Sequence, residues 1–273
     1  MGYRERIRAL REDRDLTQRQ IAALLHVSQK TYSDYELGKT RIPVDSLIAL
    51  ARFYADKGYC LMLNGGHNEE ALAAVEKELS TKTQVITCLG SVAEEKTAAT
   101  IVQKTLDTFG QIDLLINNAG IAHIGLLSDM SSEEWHTLMG TNLDAVFYMS
   151  KAVIPHMVHR HSGKILNVSS VWGEVGASCE AAYSASKGAV NSLTKALAKE
   201  LAPSHISVNG VSFGVIDTDM NRCFDEEERA SLAEEIPYGR FASPEEAAAF
   251  CYQITESPEY LTGQIIRFDG GWI

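Results

Sequence analysis

Residues 167–187 read Asn-Val-Ser-Ser-Val-Trp-Gly-Glu-Val-Gly-Ala-Ser-Cys-Glu-Ala-Ala-Tyr-Ser-Ala-Ser-Lys. Just before and into them, Lys164-Ile165-Leu166-Asn167-Val168 is short, apolar and β-branched behind Gly163, which predicts a strand. The strand is expected to break at Ser169-Ser170 and Gly173 and to lead into a helix carrying Tyr183 and Lys187. A spacing of four puts those two side chains on one helical face, a turn apart. A free tyrosine titrates at about 10 and is a poor proton relay at neutral pH. An ammonium beside it favours the phenolate and draws that value down. Ser170, at a strand end, can donate a hydrogen bond to the same oxygen that the tyrosine protonates. The set suits proton transfer to a carbonyl.

Tyrosine and lysine four apart occur on many amphipathic helices, so the surroundings carry the argument. Asn117-Asn118-Ala119-Gly120 follows an apolar strand, Asp113-Leu114-Leu115-Ile116, and Asn142 sits in Thr141-Asn142-Leu143. Together these motifs resemble the short-chain dehydrogenase/reductase family from about Tyr59 to Ile273. The resemblance implies NADP or NAD as cofactor, with NADPH favoured. It makes Tyr183 the general acid/base and Ser170 the group orienting the carbonyl oxygen. It gives Lys187 the nicotinamide ribose and the lowering of the tyrosine pKa, and gives Asn142 a proton-relaying water. It puts Asn117, Ala119, Gly120, Gly214, Ile216 and Thr218 with Tyr183 and Lys187 around the cofactor. The segments Trp172-Gly173 and 175–180 look nearest to reductases acting on 5-aminopentanone-modified elongation factor P, with 3-oxoacyl-carrier-protein reductases as neighbours.

At 273 residues the chain has room for one large or two unequal domains. A hydrophobic share of 45% beside 22% charged residues is ordinary for a globular protein, and no apolar run approaches the roughly 18 residues of a membrane span. The N-terminus lacks the apolar core of a signal peptide. Cys60, Cys88, Cys179, Cys223 and Cys251 are odd in number, scattered and never in a C-x-x-C, which fits a cytoplasmic protein with free thiols and no metal site. His123, His136, His156, His159, His161 and His205 show no ligand spacing. Charge divides the chain: residues 1–57 hold 11 Lys/Arg and 8 Asp/Glu, net +3, and the remaining 14 and 28 give net −14, together −11. A basic head on an acidic body points to two parts with different partners.

Residues 1–57 read as four or five short helices with a three-residue turn, at His26-Val27, between the second and third, the pattern of a helix-turn-helix module. Thr17 and Ser28 serve as N-caps and Gly38 as a C-cap. Leu16-Thr17-Gln18, Val27-Ser28-Gln29, Tyr35-Glu36-Leu37-Gly38-Lys39 and Pro43-Val44-Asp45-Ser46-Leu47 resemble the Cro/C1-type (XRE-like) repressors. That resemblance points Gln29, Lys30 and Thr31 at base edges in the major groove of double-stranded DNA, supported by Tyr32 and Ser33. Gln18, Arg19, Lys39 and Arg41 would touch phosphates. Reading two half-sites implies a dimer.

The join departs from the family. A full member opens with an apolar strand, a glycine-rich turn and a helix, whose amides hold a diphosphate. Nothing before Tyr59 supplies that strand or turn; the last head helix, 46–57, runs straight into Gly58-Tyr59 and serves both modules. With no Gly/Ser/Pro linker, a rigid junction is expected. Loss of the central strand leaves three outcomes: its neighbours close up, something fills the gap, or the body is unstable alone. Gly90-Ser91-Val92 also replaces the usual adenine-binding Asp, and Phe213-Gly214 the usual Pro-Gly. Tyr59-Cys60-Leu61-Met62-Leu63 then reads as a strand followed by Asn64-Gly65-Gly66-His67 and a helix through Leu79. Those glycines either approach a phosphate or simply bend the chain; Glu69 and Glu70, which satisfy the helix dipole and repel anions, favour the bend.

Further strands are expected at 84–89, 206–211 and 264–268, and helices at 94–109 and 132–159, the last broken near Gly140 and Pro155. Residues 221–236 would form a substrate lid whose acidic run, Asp225-Glu226-Glu227-Glu228, is either a solvated helix N-terminus or a recruiter of a cationic substrate amine, and Asp269-Gly270-Gly271-Trp272 resembles a C-terminal signature at an oligomer interface. The whole is an α/β chain: a Rossmann-like doubly wound parallel sheet lacking the family's first strand and glycine-rich turn (58–273), behind a small all-α head (1–57). The expected function is NAD(P)(H)-dependent oxidoreduction of a small or protein-linked carbonyl or alcohol, by a homodimer or homotetramer with a DNA-binding head. The alternative is a regulator or scaffold whose reductase body serves oligomerisation or ligand sensing.

Overall fold

The computed structural model describes residues 44–218 and 226–273. The candidate DNA contacts Gln18, Arg19, Gln29, Lys30, Thr31, Lys39 and Arg41 lie outside them, as does the start of the expected lid. The first described element, α1 (Val44–Asp56), spends its apolar residues on the body that follows it. Ala49, Leu50 and Tyr54 join Leu166, Val211, Ala248, Cys251 and Ile254 in one core. A quarter-turn away, Ala51 and Ala55 join Leu63, Leu72, Val75 and Leu79 in another. Tyr54 shares a buried 2.6 Å hydroxyl hydrogen bond with Thr255, and Arg52 grips Glu78 through two bonds of 2.7 and 2.9 Å. Gly58, at φ 83°, ends the helix where a side chain would be strained.

Strands and helices then alternate. In order come β1 (Leu61–Gly65), α2 (Glu69–Leu79), β2 (Val85–Leu89), α3 (Glu95–Phe109) and β3 (Leu114–Asn117). They are followed by α4 (Ser132–Met139), α5 (Ala145–Arg160), β4 (Gly163–Ser170), α6 (Trp172–Val175) and α7 (Ala181–Leu201). The chain closes with β5 (Ile206–Phe213), α8 (Glu226–Glu235), α9 (Pro244–Thr255) and β6 (Ile265–Phe268). All pairings are parallel, as alternation demands.

The sheet is in two pieces: β1 pairs β2, and β3, β4, β5 and β6 form a separate ladder in that order. β1 and β3, the neighbours expected of the missing strand, do not pair with each other. Side chains bridge the interruption instead. Met62 of β1 packs into the core that holds Leu115, Ile165 and Val208 beneath α3 and α5, while Leu61 packs with Leu114 and Ile116 into the core under α1 and α9. β4 and β5 are buried along nearly their whole length, with successive residues such as Ile165 and Leu166 feeding opposite cores.

Three local expectations are corrected. β4 runs on through Ser169 and Ser170, because its partner β5 continues alongside to Phe213. The break near Gly140 is a single π-helical turn, Gly140–Asp144, rather than an interruption. Pro155 does not end α5, which continues to Arg160; the fully buried Val153 and Met157 on either side hold it in the core.

Candidate active site

The carboxyl ends of β3, β4 and β5 meet the first turns of α7. Ser170 is the last residue of β4, and Tyr183 and Lys187 lie on α7 at positions buried to 8% and 4% exposure. The Ser170 hydroxyl lies beside the Tyr183 hydroxyl and eases its ionisation. Ser170 Oγ also accepts the Trp172 N–H at 3.2 Å. Lys187 Nζ donates to the Val168 carbonyl at 2.9 Å and lies 5.8 Å from the centre of the Tyr183 ring.

Asn142, with no exposed surface, sits in the π-helical turn, which turns its amide inward. Its Oδ1 accepts the Ile121 N–H at 2.8 Å, and its Nδ2 donates to the Ile121 carbonyl at 2.9 Å and to Ser186 Oγ at 3.0 Å. One side chain thus ties the loop after β3 to α7. Gly120, on that loop, faces the lysine: a Cβ there would meet Lys187 Nζ at 3.3 Å and Asn142 Oδ1 at 3.5 Å. On the far side, Gly214 lies against Asp269, with Ile216 bridged to Ala242 and the Thr218 N–H donating to the Ile216 carbonyl.

Asn117 stands apart from this set. Its amide donates to Asn167 Oδ1 at 2.8 Å, and Asn167 in turn donates to Thr194. The side chain is spent on a buried network that fixes β3, β4 and α7, not on the cleft.

The expected electrostatics are corrected. Lys187 does not draw Tyr183 toward neutrality in this arrangement. Burial pushes the phenol up to about 12, relieved in part by Ser170, and draws the ammonium down to about 8. Both groups are cut off from water, so each resists its charged form. In that state the tyrosine keeps its proton and is a weaker acid than a free phenol.

Several positioning residues carry no loud signal in the sequence. Gly173 of α6 rests on the α7 backbone, where a Cβ would come within 2.7 Å of the Lys187 carbonyl carbon. Ser186 accepts from Asn142 and donates to the Tyr183 carbonyl at 2.7 Å. Ser186 hides in a run of small residues that reads as ordinary helix. Glu180, half-buried one turn before Tyr183, is pushed up to about 7 by burial, a rise eased by the neighbouring Trp172 side chain. Cys179 before it holds a positive φ of 61° and accepts the Gly125 N–H at 2.7 Å. Among the described residues no group of three or more His, Cys, Asp or Glu could hold a metal ion. No helix among them is long and apolar enough to cross a membrane.

Residues 48–229 match the family model described as short chain dehydrogenase. The chain belongs to the short-chain dehydrogenase family. It is 36% identical over 231 residues to the uncharacterized oxidoreductase YmfI of Bacillus subtilis, covering 82% of this chain and 93% of that protein. It is 41% identical over 174 residues to the 3-oxoacyl-(acyl-carrier-protein) reductase FabG of Thermotoga maritima, covering 63% of this chain and 71% of that one. Among solved structures, it resembles a gluconate 5-dehydrogenase from Burkholderia cenocepacia in complex with NADP and tartrate. The TM-score is 0.77 at 31% identity, over 82% of this chain and 89% of that one. Residues 7–55 match a second model, helix-turn-helix, so the short-chain dehydrogenase match begins inside the other and both claim residues 48–55 of α1.

The family's dinucleotide can be set against the residues present. On the nicotinamide side the glycine opening at Gly120, a cation at Lys187 and hydroxyls at Tyr183 and Ser170 suit a riboside, and the donor set fits. On the diphosphate side, neither the described residues nor the sequence before them offers a strand followed by a glycine-rich turn into α1.

Proposed function

We propose that this protein is an NAD(P)(H)-dependent carbonyl or alcohol oxidoreductase with a DNA-binding head, acting in the cytoplasm as a homodimer or homotetramer. The observation that carries the catalytic reading is the buried Ser170–Tyr183 hydroxyl pair one turn from Lys187. The bound dinucleotide supplies or accepts the hydride. Ser170 holds the substrate oxygen by hydrogen bond. Tyr183, kept neutral by burial, gives its proton to that oxygen in reduction and recovers it in oxidation. Lys187, anchored on the Val168 carbonyl, takes the ribose hydroxyls next to Tyr183 and becomes more cationic as it gains those acceptors. Asn142 holds the loop carrying Gly120 and Ile121 in register with α7, so that substrate and cofactor meet at fixed spacing. Gly214, Ile216 and Thr218 close the nicotinamide end. The substrate is a small or protein-linked carbonyl compound.

Tyr183→Phe tests this directly. Turnover of a ketone panel with NADPH should fall by about 10²–10⁴-fold, the usual worth of a general acid, a loss far larger than any accompanying drop in cofactor affinity. An unchanged rate removes the tyrosine from the chemistry.

For the head, the match over residues 7–55 supports binding of double-stranded DNA through Gln29, Lys30 and Thr31, with Gln18, Arg19, Lys39 and Arg41 on phosphates. The division into a head of 1–57 and a body of 58–273 is proposed with α1 serving both. A second reading, a non-catalytic regulator or scaffold, is favoured by the interrupted sheet and the absent diphosphate turn. A salt-dependent gel shift together with no turnover on any carbonyl would select it.

A further inference from the structure

In dinucleotide-binding folds the diphosphate sits on main-chain amides where a glycine-rich turn carries the first strand into its helix. Here the corresponding helix is α1, and the residues directly before it are Gly38-Lys39-Thr40-Arg41-Ile42-Pro43. Before Gly58 the sequence has only two glycines, Gly2 and Gly38, and residues 7–55 match a helix-turn-helix model instead. The nearest other strand-to-helix turn, after β1, is already committed. Asn68 caps α2 by accepting the Ala71 N–H at 2.9 Å, and Glu69 and Glu70 occupy its first turn. Those carboxylates answer the helix dipole and repel a diphosphate. The amide of Asn64, at the end of β1, is bound at 3.0 Å to each of the Cys88 and Gly90 carbonyls.

The opposite end is complete: Asn142 ties the Gly120–Ile121 loop to Ser186, which donates to the Tyr183 carbonyl, and Gly120 faces Lys187, which is anchored on the Val168 carbonyl. From this contrast the geometry assigns cofactor recognition to the nicotinamide riboside half alone. Reduced nicotinamide mononucleotide should therefore bind this chain about as tightly as NADPH does. The inference rests on the proposed reading of Tyr183 and Lys187 as the riboside site. A charge-assisted hydrogen bond to phosphate is worth roughly tenfold to a hundredfold in affinity, so losing the turn removes most of the advantage of a dinucleotide over a mononucleotide.

Isothermal titration calorimetry of the full chain tests it without any turnover. Titrants are NADPH, reduced nicotinamide mononucleotide, and 2′,5′-ADP as the adenine end of NADPH. The expected dissociation constants of the first two lie within about tenfold of each other, and 2′,5′-ADP neither binds nor displaces the mononucleotide. A larger gap in favour of NADPH, or competition by 2′,5′-ADP, overturns the inference and leaves the riboside site standing. Binding of neither nicotinamide compound removes the riboside site itself, and the inference with it. Lys187→Met, and independently Gly120→Ala, should weaken both ligands by the same factor. NADPH affinity that survives either change while the mononucleotide is lost places recognition elsewhere.

Discussion

The four-stranded and two-stranded pieces of the sheet show what each part of such a fold depends on. β3 to β6 pair in unbroken register, β4 and β5 bury both faces and β4 carries Ser170, while α7 carries Tyr183 and Lys187. β1 and β2 share one five-residue ladder and reach the rest only through side chains and through α1. The proposed chemistry lies entirely on the first piece. The second lies where a dinucleotide's adenosine end would extend. A helix without its strand can therefore keep the hydrophobic layers continuous while the hydrogen-bonded ladder is cut, because side-chain packing and ladder pairing are separate demands.

The comparison breaks most readily at α1. Leu50→Ala should cost about 2–5 kcal/mol of stability, since the residue is buried between the body and α9 and the helix has no ladder to fall back on. Urea unfolding followed by circular dichroism measures it. A cost under about 0.5 kcal/mol would mean that α1 is ornamental to the body.

Hydrogen exchange sharpens the same contrast. Amides of β1 and β2 should exchange about a hundredfold faster than those of β4 and β5, a difference near 3 kcal/mol in opening free energy. Equal protection would show the two pieces unfolding as one.

The buried lysine gives a pH signature to the four-stranded piece. Its folded pKa lies below its unfolded one, so between about pH 8 and pH 10 the unfolded chain holds more protons and stability rises with pH. The rise should amount to roughly 2–3 kcal/mol and vanish in Lys187→Met. A wild-type profile that is flat or falling over that window would show the ammonium to be satisfied in the folded chain. The smallest effect belongs to Tyr54→Phe, which removes the bond to Thr255 and should cost about 1 kcal/mol in the same unfolding assay.

Much of this was legible in the residues. Ser170, Tyr183, Lys187 and Asn142 announce themselves by type and spacing, and strand–helix alternation sets a parallel sheet. The local text around α1 likewise reads as the property of two modules, and two family models match it. What the text did not carry were consequences of packing. The strand through Ser170 is extended by its partner β5, and Pro155 is overridden by the core around it. The phenol's pKa follows desolvation that spacing on a helix cannot express. Asn117, placed at the cofactor by family resemblance, instead turns its side chain to Asn167 within the sheet.

The most direct test of the account is a crystal structure of the full chain grown with NADPH. It should show the nicotinamide riboside ordered against Gly120, Tyr183 and Lys187, and a diphosphate in contact with no run of main-chain amides. A diphosphate held by successive backbone N–H groups at the start of α1 would contradict it.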